Sequence, residues 1–324
     1  MVTRHHREFA SPTGAVLSQT VTLAEGKPVG VIQINHGMAE HSARYDRFAD
    51  ALAGAGFHVY AHDHRGHGHT RAADAVPGRF AANDGVEKVL TDIDAVHDQI
   101  VRKHPDLPLI IFGHSMGGIV TLNSVLRRSK HLAGAAVWNA NFSPGLLGRV
   151  GQAILAWEKF RLGSDVPSRI LPKLTFQDWA KKIPNHRTSA DWLSRDPVEV
   201  DKYVTDPLCG WDASVSMWQD VFKMVFAGAD DRSFASVRRN LPFNLAGGGA
   251  DPSTVNGKAV EKLAARMRKM GFSNLVSKVW PETRHESLND INRDEITADF
   301  SGWAKRVVSE CSARQPRQRT NAPH

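Results

Sequence analysis

The stretch LPLIIFGHSMGG, at residues 107–118, joins a run of apolar residues directly to a serine flanked by glycines. The apolar run is short and rich in branched residues, which is typical of a buried strand, and helical spacing follows over 116–128. Only a very sharp turn can join strand to helix so abruptly, and Gly113 and Gly117 meet its steric requirement. The sequence therefore predicts a strand, a tight turn that exposes Ser115, and a helix.

Strand-like and helix-like segments alternate on both sides of this turn. Apolar runs typical of strands occur at 29–35, 57–61, 107–112, 133–137, 241–246 and 275–280. Helical spacing occurs at 44–54, 86–103, 116–128, 215–226, 255–270 and 291–308. This alternation is typical of a mainly parallel sheet with helices on both faces, so we predict the α/β class.

The alternation stops between residues 140 and 212, where scattered prolines and tryptophans accompany helix-like pieces and no strand is evident. We interpret 1–139 and 213–311 as one α/β catalytic domain. Residues 140–212 (hereafter the insertion) are predicted to be a helical lid. Residues 312–324 lack an apolar period, and we expect a disordered basic tail there.

The composition is that of a globular protein, with 41% hydrophobic and 23% charged residues among 324. No apolar run approaches the length of a membrane span and the N-terminus is polar, so we expect a cytoplasmic protein. Cys209 and Cys311 are too few for a disulfide framework, and we expect reduced thiols. The formal charge is +7, but no basic block of five residues occurs, which argues against nucleic-acid binding.

A serine hydroxyl needs a base to take its proton, and the base needs a carboxylate to orient it. Downstream of Ser115, Asp251 and His285 each follow a predicted strand, and the carboxyl ends of parallel strands meet at one edge of the sheet. We therefore predict that Asp251 is the acid and His285 the base of a catalytic triad. Asp230 and Asp231 are weaker candidates for the acid because they follow a helical segment.

Two backbone amides are predicted to hold the negative oxygen of the reaction intermediate. The Met116 amide stands where a helix begins, and the helix dipole favours an anion there. The Met38 amide follows the strand at 29–35, and Gly37 permits the turn that aims it inward. The other interpretation of Gly37 is an ordinary loop glycine.

Five motifs resemble the α/β-hydrolase superfamily, and within it the monoacylglycerol lipase and lysophospholipase branch. They are HGMAEHSARY (36–45), DHRGHGHT (63–70), GHSMGG (113–118), GGGADPST (247–254) and RHESLND (284–290). The resemblance implies an esterase that needs no cofactor, and it implies the same roles for Ser115, Asp251, His285, Met38 and Met116. Thr70 and Asp290 depart from the usual serine and glutamate of the branch.

Two other clusters invite a different interpretation. Residues 62–69 (HDHRGHGH) resemble a metal-binding pattern, but Gly66 stands where that pattern needs aspartate, so we predict no metal site. We instead expect a loop packed beside the turn, with Arg65 paired to a carboxylate. Glu40 and His41 resemble an acid–base pair, but adjacent residues seldom converge on one atom, so we favour a structural role.

These features together predict a serine hydrolase of monoacylglycerols, lysophospholipids or similar acyl esters. Short-chain carboxylesterase, lactonase, thioesterase and acyltransferase activities remain alternatives, as does a non-catalytic protein that binds a ligand in the same pocket. Apolar residues of the insertion are candidates to line an acyl pocket, to make weak contact with a membrane or simply to pack the insertion down; they are Leu146, Leu147, Ile154 and Trp157. The sequence makes no prediction of oligomeric state.

Overall fold

The computed structural model describes residues 2–314 and is built on one sheet of eight strands. The strands are β1 (Arg4–Ala10), β2 (Val16–Thr22), β3 (Gly30–Asn35), β4 (Phe57–His62), β5 (Leu109–His114), β6 (Leu132–Trp138), β7 (Phe243–Gly248) and β8 (Leu275–Trp280). Their order in the sheet is β1-β2-β4-β3-β5-β6-β7-β8. Strands β3 to β8 are parallel to their neighbours among themselves, and β2 pairs antiparallel with both β1 and β4.

Ten α-helices accompany the sheet over the described residues. They are α1 (Asp46–Gly54), α2 (Gly85–Lys103), α3 (Met116–Arg127), α4 (Gly145–Leu162), α5 (Leu171–Leu174), α6 (Phe176–Lys181), α7 (Pro197–Thr205), α8 (Val215–Ala229), α9 (Lys258–Lys269) and α10 (Arg293–Arg314). The predicted α/β class is confirmed, and each predicted strand is present with its ends shifted by two residues or fewer. Strands β1 and β2 were not predicted from the sequence.

The N-terminal hairpin escaped the sequence analysis because its first strand is polar. Strand β1 (RHHREFA) lies at the edge of the sheet, where only one side is paired and polar side chains face solvent. Arg4 fastens this edge to α1 through ion pairs with Asp46 (2.8 Å) and Asp50 (2.5 Å). An edge strand of this kind has no continuous apolar run to reveal it.

The continuous apolar run of β5 reflects burial on both faces of the sheet. Leu109 and Ile111 pack into one hydrophobic cluster with residues of α2, α3 and α8. Ile110 and Phe112 pack into the other cluster with residues of α1 and α10. Because successive side chains of a strand point to opposite faces, a strand covered on both sides must be apolar throughout. Each such side chain contributes about 1.5–3 kcal/mol when it is buried.

The insertion contains α4 to α7 and contributes none of the eight strands. It has a small hydrophobic cluster of its own, to which Ile183, Trp192, Leu193 and Val200 contribute. That the insertion acts as a lid stays a prediction.

The end of the chain differs from its prediction. Helix α10 runs on to Arg314, so it includes 312–314 of the predicted tail. No proline or glycine occurs at 303–315, and nothing in that stretch forces the helix to stop. Residues 315–324 lie outside the described part of the chain. Among residues 2–314, no helix combines the length and the apolar character needed to cross a bilayer.

The turn between β5 and α3 is as crowded as the sequence predicted. A Cβ atom on Gly113 would lie 2.1 Å from the Gly117 carbonyl oxygen, and one on Gly117 would lie 2.1 Å from the Asn35 carbonyl oxygen. Both neighbours are backbone atoms, so neither can rotate away. The helix and strand β3 can approach this closely only because both residues are glycine.

We predict that Gly117→Ala lowers the free energy of unfolding by at least about 1–3 kcal/mol, because the new methyl group overlaps backbone of β3. The measurement is urea unfolding of the full chain. Gly302→Ala is the matched control: it lies within α10, where the nearest atom to a new Cβ is the Arg306 side chain at 3.8 Å. We expect this control to raise the free energy of unfolding by about 0.5–1 kcal/mol, because alanine restricts the conformations of the unfolded chain. Equal effects of the two substitutions would contradict the steric account.

Candidate active site

Ser115 stands at the top of the turn between β5 and α3, with φ 55° and ψ −121°. Residues other than glycine rarely adopt this backbone conformation, and the surrounding structure holds it here. The Ser115 amide donates a hydrogen bond to the Trp138 carbonyl at 2.9 Å. The side-chain oxygen Oγ lies 2.8 Å from Nε2 of His285, so the hydroxyl and the imidazole are within hydrogen-bonding reach.

His285 lies in the loop after β8, and its ring is clamped between two others. The ring centroids of Trp192 and His114 are each 4.8 Å from that of His285. The His285 amide donates to the Trp192 carbonyl at 3.3 Å, and Nε2 of His114 donates to the His285 carbonyl at 2.9 Å. The imidazole is therefore fixed from one side by the insertion and from the other by the residue that precedes Ser115.

Asp251 is fully buried, and its carboxylate is surrounded by donors. Oδ2 lies 3.0 Å from Nδ1 of His285 and accepts hydrogen bonds from Asn139 (3.0 Å) and Thr254 (2.9 Å). Oδ1 accepts from the amide and the hydroxyl of Ser253, at 2.9 and 2.7 Å. Burial raises the pKa of Asp251, but the charge of His285 and these hydrogen bonds outweigh it and lower the pKa to about 2.

Asn139, Ser253 and Thr254 were missed by the sequence analysis. Asn139 directly follows β6 at the edge where Ser115 stands, and its φ of 49° is unusual. Because side chains that follow parallel strands meet at the same edge of the sheet, its position in the sequence could have identified it as a site residue. Ser253 follows Asp251 by two residues, the spacing of a local aspartate turn, and its hydroxyl also lies 2.9 Å from Nδ1 of His285.

The segments that carry the two predicted amide donors both adjoin Ser115. A Cβ atom on Gly37 would lie 3.4 Å from the Ser115 Cβ, so the loop that continues into Met38 touches the serine. The Gly37 amide is occupied by the Glu40 carboxylate. Met116 is the first residue of α3, and amides of a first helical turn have no partner within the helix. The structure thus brings both predicted donor segments to the serine.

A buried network of charges joins this loop to the loop of His285. Arg44 donates to Glu40 at 2.8 Å and to Glu286 through its second nitrogen at 2.7 Å. Tyr45 donates to Glu40 at 2.8 Å, and Nδ1 of His114 lies 3.8 Å from the same carboxylate. Glu40 accepts the Gly37 amide, His114 directly precedes Ser115 and Glu286 directly follows His285, so the network connects these three positions.

The network also sets the charges of its members. Burial raises the pKa of Glu40, but His114 and Arg44 outweigh it and hold that pKa well below the usual value. Burial lowers the pKa of His114, but Glu40 outweighs it and the pKa rises above the usual value. Glu40 and His41, for which the sequence favoured a structural role over an acid–base pair, do not converge: Glu40 faces Gly37 and Arg44, whereas His41 lies 2.8 Å from Asp206.

The histidine-rich loop at 62–69 packs against the loop after β3, where the His64 amide donates to Nε2 of His36 at 2.9 Å. Burial is the largest cause of the lowered pKa values of His62, His64 and His67, which keeps these imidazoles uncharged. The Asp63 carboxylate is occupied by the amide and hydroxyl of Ser42 and by the His69 amide. Within residues 2–314, the ligand atoms that converge closely enough for a metal ion belong to a different group, described below.

The predicted pairing of Arg65 is present. Its partner is Asp74, at 2.9 Å. The rival acids have other partners: Asp230 pairs with Arg232 and Asp231 with Arg266.

The candidate pocket residues of the insertion mostly face outward. Leu146 and Leu147 are exposed, Trp157 is half-exposed beneath Arg161, and only Ile154 packs against the main hydrophobic cluster. Their role in substrate binding stays a prediction. The aromatic residue that does contact the site is Trp192, which the sequence analysis did not single out for this role.

The chain matches the family described as "Serine aminopeptidase, S33" over residues 26–292. It is 26% identical over 306 residues to the monoacylglycerol lipase of Mycolicibacterium smegmatis, covering 93% of this chain and 97% of that protein. It is 28% identical over 276 residues to the mouse monoglyceride lipase, covering 82% of each.

The fold is also that of a solved enzyme. A thermostable carboxyl esterase from Bacillus coagulans, in complex with glycerol, superposes with a TM-score of 0.85 at 23% identity, over 95% of this chain and 100% of that one. This likeness concerns the fold alone.

We predict that Arg44→Gln lowers the free energy of unfolding by about 3–5 kcal/mol, because it leaves Glu40 and Glu286 buried without their counter-charge. Arg71→Gln is the matched control: it breaks the exposed pair of Arg71 and Glu8 (2.8 Å), which water and salt screen, and it should lower the free energy of unfolding far less than Arg44→Gln does. Urea unfolding of both variants measures the difference. A small loss in both would mean that the network does not hold the two loops together.

Proposed function

We propose that this chain, which belongs to the serine aminopeptidase S33 family of α/β-hydrolases, cleaves lipid esters with Ser115, His285 and Asp251 as its catalytic triad. The chain is a carboxylic ester hydrolase, and the substrate class that we propose is monoacylglycerols or lysophospholipids. The observation that carries the proposal is the unbroken line of contacts from Ser115 through His285 (2.8 Å) to Asp251 (3.0 Å).

Each group in this line has a separate chemical task. Ser115 Oγ attacks the ester carbonyl carbon while Nε2 of His285 takes the hydroxyl proton. Because Asp251 stays ionised down to about pH 2, it keeps the Nδ1 proton of His285 in place and stabilises the imidazolium. The amides of Met38 and Met116 stabilise the negative oxygen of the tetrahedral intermediate.

The intermediate collapses when His285 gives its proton to the departing alcohol, which leaves an acyl group on Ser115. Water then attacks the acyl carbonyl carbon while His285 takes its proton. The bond between Ser115 Oγ and the acyl carbon breaks, His285 returns the proton to Oγ, and the fatty acid is released. All of these groups come from the chain itself, so we propose that the reaction uses no cofactor.

Two observations support a lipid substrate. The relatives from Mycolicibacterium smegmatis and mouse are named for monoacylglycerol and monoglyceride substrates. Helix α4 also presents apolar side chains to solvent, with Leu147 at 83% and Phe160 at 92% exposure. Such side chains would anchor the insertion weakly to a lipid surface. A cytoplasmic location stays a prediction from the sequence.

We predict that Ser115→Ala lowers turnover of a p-nitrophenyl ester by on the order of a million-fold, as expected when the nucleophile of a triad is lost. Ser124→Ala, in the same helix, is the matched control and should keep its activity. A fluorophosphonate probe should label the parent chain and Ser124→Ala but not Ser115→Ala. Persistent hydrolysis or labelling after Ser115→Ala would remove this residue from the mechanism.

The substrate class is tested separately with glycerides, lysophospholipids, short aryl esters and aminoacyl anilides. We expect the highest kcat/KM for monoacylglycerols or lysophospholipids. Higher values for short esters would favour a carboxylesterase, and cleavage of the anilides alone would favour the peptidase activity that the family description names. Absence of any turnover or labelling would favour a binding protein.

We predict that the double substitution Leu147→Ser and Phe160→Ser weakens binding to phosphatidylcholine–phosphatidylglycerol vesicles by at least about tenfold, because each side chain contributes apolar area at the membrane. Hydrolysis of a soluble short ester should not change. Val76→Ser with Ile291→Ser removes two exposed apolar residues outside the insertion and is the matched control. Cosedimentation measures the binding, and an equal loss in both pairs would contradict a specific role for α4.

A further inference from the structure

Two segments far apart in the sequence meet beside the charged network. One is the loop after β3, and the other is the stretch 206–210 that follows α7. The Gly210 amide donates to the Ala39 carbonyl at 2.9 Å, and Nε2 of His41 lies 2.8 Å from Oδ2 of Asp206. Cys209 lies at the same junction, so that one ligand atom each from His41, Asp206 and Cys209 falls within 4.8 Å of the others.

We propose that His41, Asp206 and Cys209 form a binding site for one zinc ion, with water as the fourth ligand. Neither the expected reaction nor the triad uses these three residues. The proposal that zinc binds here stands apart from the proposed function, because it concerns a different set of side chains.

The donor atoms suit zinc in type and in spacing. Imidazole nitrogen, carboxylate oxygen and thiolate sulfur are its usual protein ligands, at about 2.0–2.3 Å. In a tetrahedral site, ligand atoms at these distances lie about 3.3–3.8 Å from one another. The observed separations, from 2.8 Å to at most 4.8 Å, bracket this range. Small side-chain rotations would therefore complete the site.

The surroundings already orient one ligand. Oδ1 of Asp206 accepts the Leu208 amide at 2.8 Å, which leaves Oδ2 directed at His41. Hydrogen bonds of this kind hold a ligand in place and tune its affinity. The bond between Gly210 and Ala39 joins the two segments independently of any side chain, so the site does not have to assemble from separate loops.

The local charge also permits a divalent cation. The nearby cations are each paired with a carboxylate: Arg44 with Glu40 and Glu286, and Arg47 and Lys202 with Glu199. Three positive charges and three negative charges therefore cancel. The Asp206 charge remains to balance the ion. Burial raises the pKa of the Cys209 thiol, so the thiol would give up its proton only when the ion binds, and its sulfur would then supply the second negative charge.

The site is open to solvent on one side. His41 and Asp206 line a surface groove, and their side chains are 12% and 29% exposed. An ion can therefore enter, and a water molecule has room to complete its coordination. Among residues 2–314, this is where three metal-ligating side chains converge.

The site lies in the loop that carries Met38, three residues before His41. A bound ion would link this loop to 206–210 and so add a cross-link between the segment beside Ser115 and the insertion. We therefore expect zinc to raise the thermal unfolding temperature of the full chain.

The experiment uses the full chain, stripped with a chelator and titrated with zinc against a chromophoric competitor. We expect one such site per chain. Cys209→Ala and Asp206→Asn should each weaken the binding at least about tenfold and reduce the thermal shift. Cobalt in place of zinc should show a thiolate charge-transfer band that is absent in Cys209→Ala. Circular dichroism shows whether each variant folds, and Cys209→Ser is a second variant should Cys209→Ala not fold.

Three controls separate this site from other zinc binding. Cys311→Ala removes the remote thiol in α10 and should change neither affinity nor spectrum. His5→Ala with His6→Ala tests the adjacent histidines of β1, and His285→Ala tests the imidazole beside Ser115. Affinity unchanged by Cys209→Ala and Asp206→Asn, or lost with either histidine control, would overturn the proposal. The ester-hydrolysis tests of Ser115 decide the proposed function independently of these results.

Discussion

The close approach of Gly117 to the backbone of β3 is the contact on which the rest of the site depends. A gap of 2.1 Å between a hypothetical Cβ and the Asn35 carbonyl oxygen leaves no room for any side chain. The helix can therefore start immediately at the sheet edge, and Ser115 is held at a φ of 55° with its hydroxyl toward His285. Strain at one residue is maintained by the packing of a whole sheet around it.

The second constraint is electrostatic, and it lies beside Ser115 and His285. A buried arginine between Glu40 and Glu286 joins the loop of Gly37 to the loop of His285, which are separated by most of the chain. Buried charges are stable only as a complete set, because each alone carries a large desolvation cost. The set therefore favours one relative placement of the two loops, and this placement brings the segments beside Ser115 together.

The insertion contacts the site directly through Trp192. The Trp192 ring packs against the His285 ring, and the Trp192 carbonyl accepts the His285 amide. Arg284 in turn donates to the carbonyls of Asp191 and Ser194. A movement of this part of the insertion would thus act directly on the imidazole.

The sequence by itself determined the α/β class and the positions of Ser115, Asp251 and His285 after separate strands, because apolar runs, glycine-flanked turns and chain order are local properties. Only the tertiary structure decided that the polar hairpin joins the sheet, which donors surround Asp251 and that Arg44 pairs with Glu286. These features depend on contacts between segments that are far apart in the chain, and no periodic pattern in the local sequence predicts such contacts. Whether a given arginine is buried against two carboxylates depends on how the loops pack, and packing is a property of the folded chain.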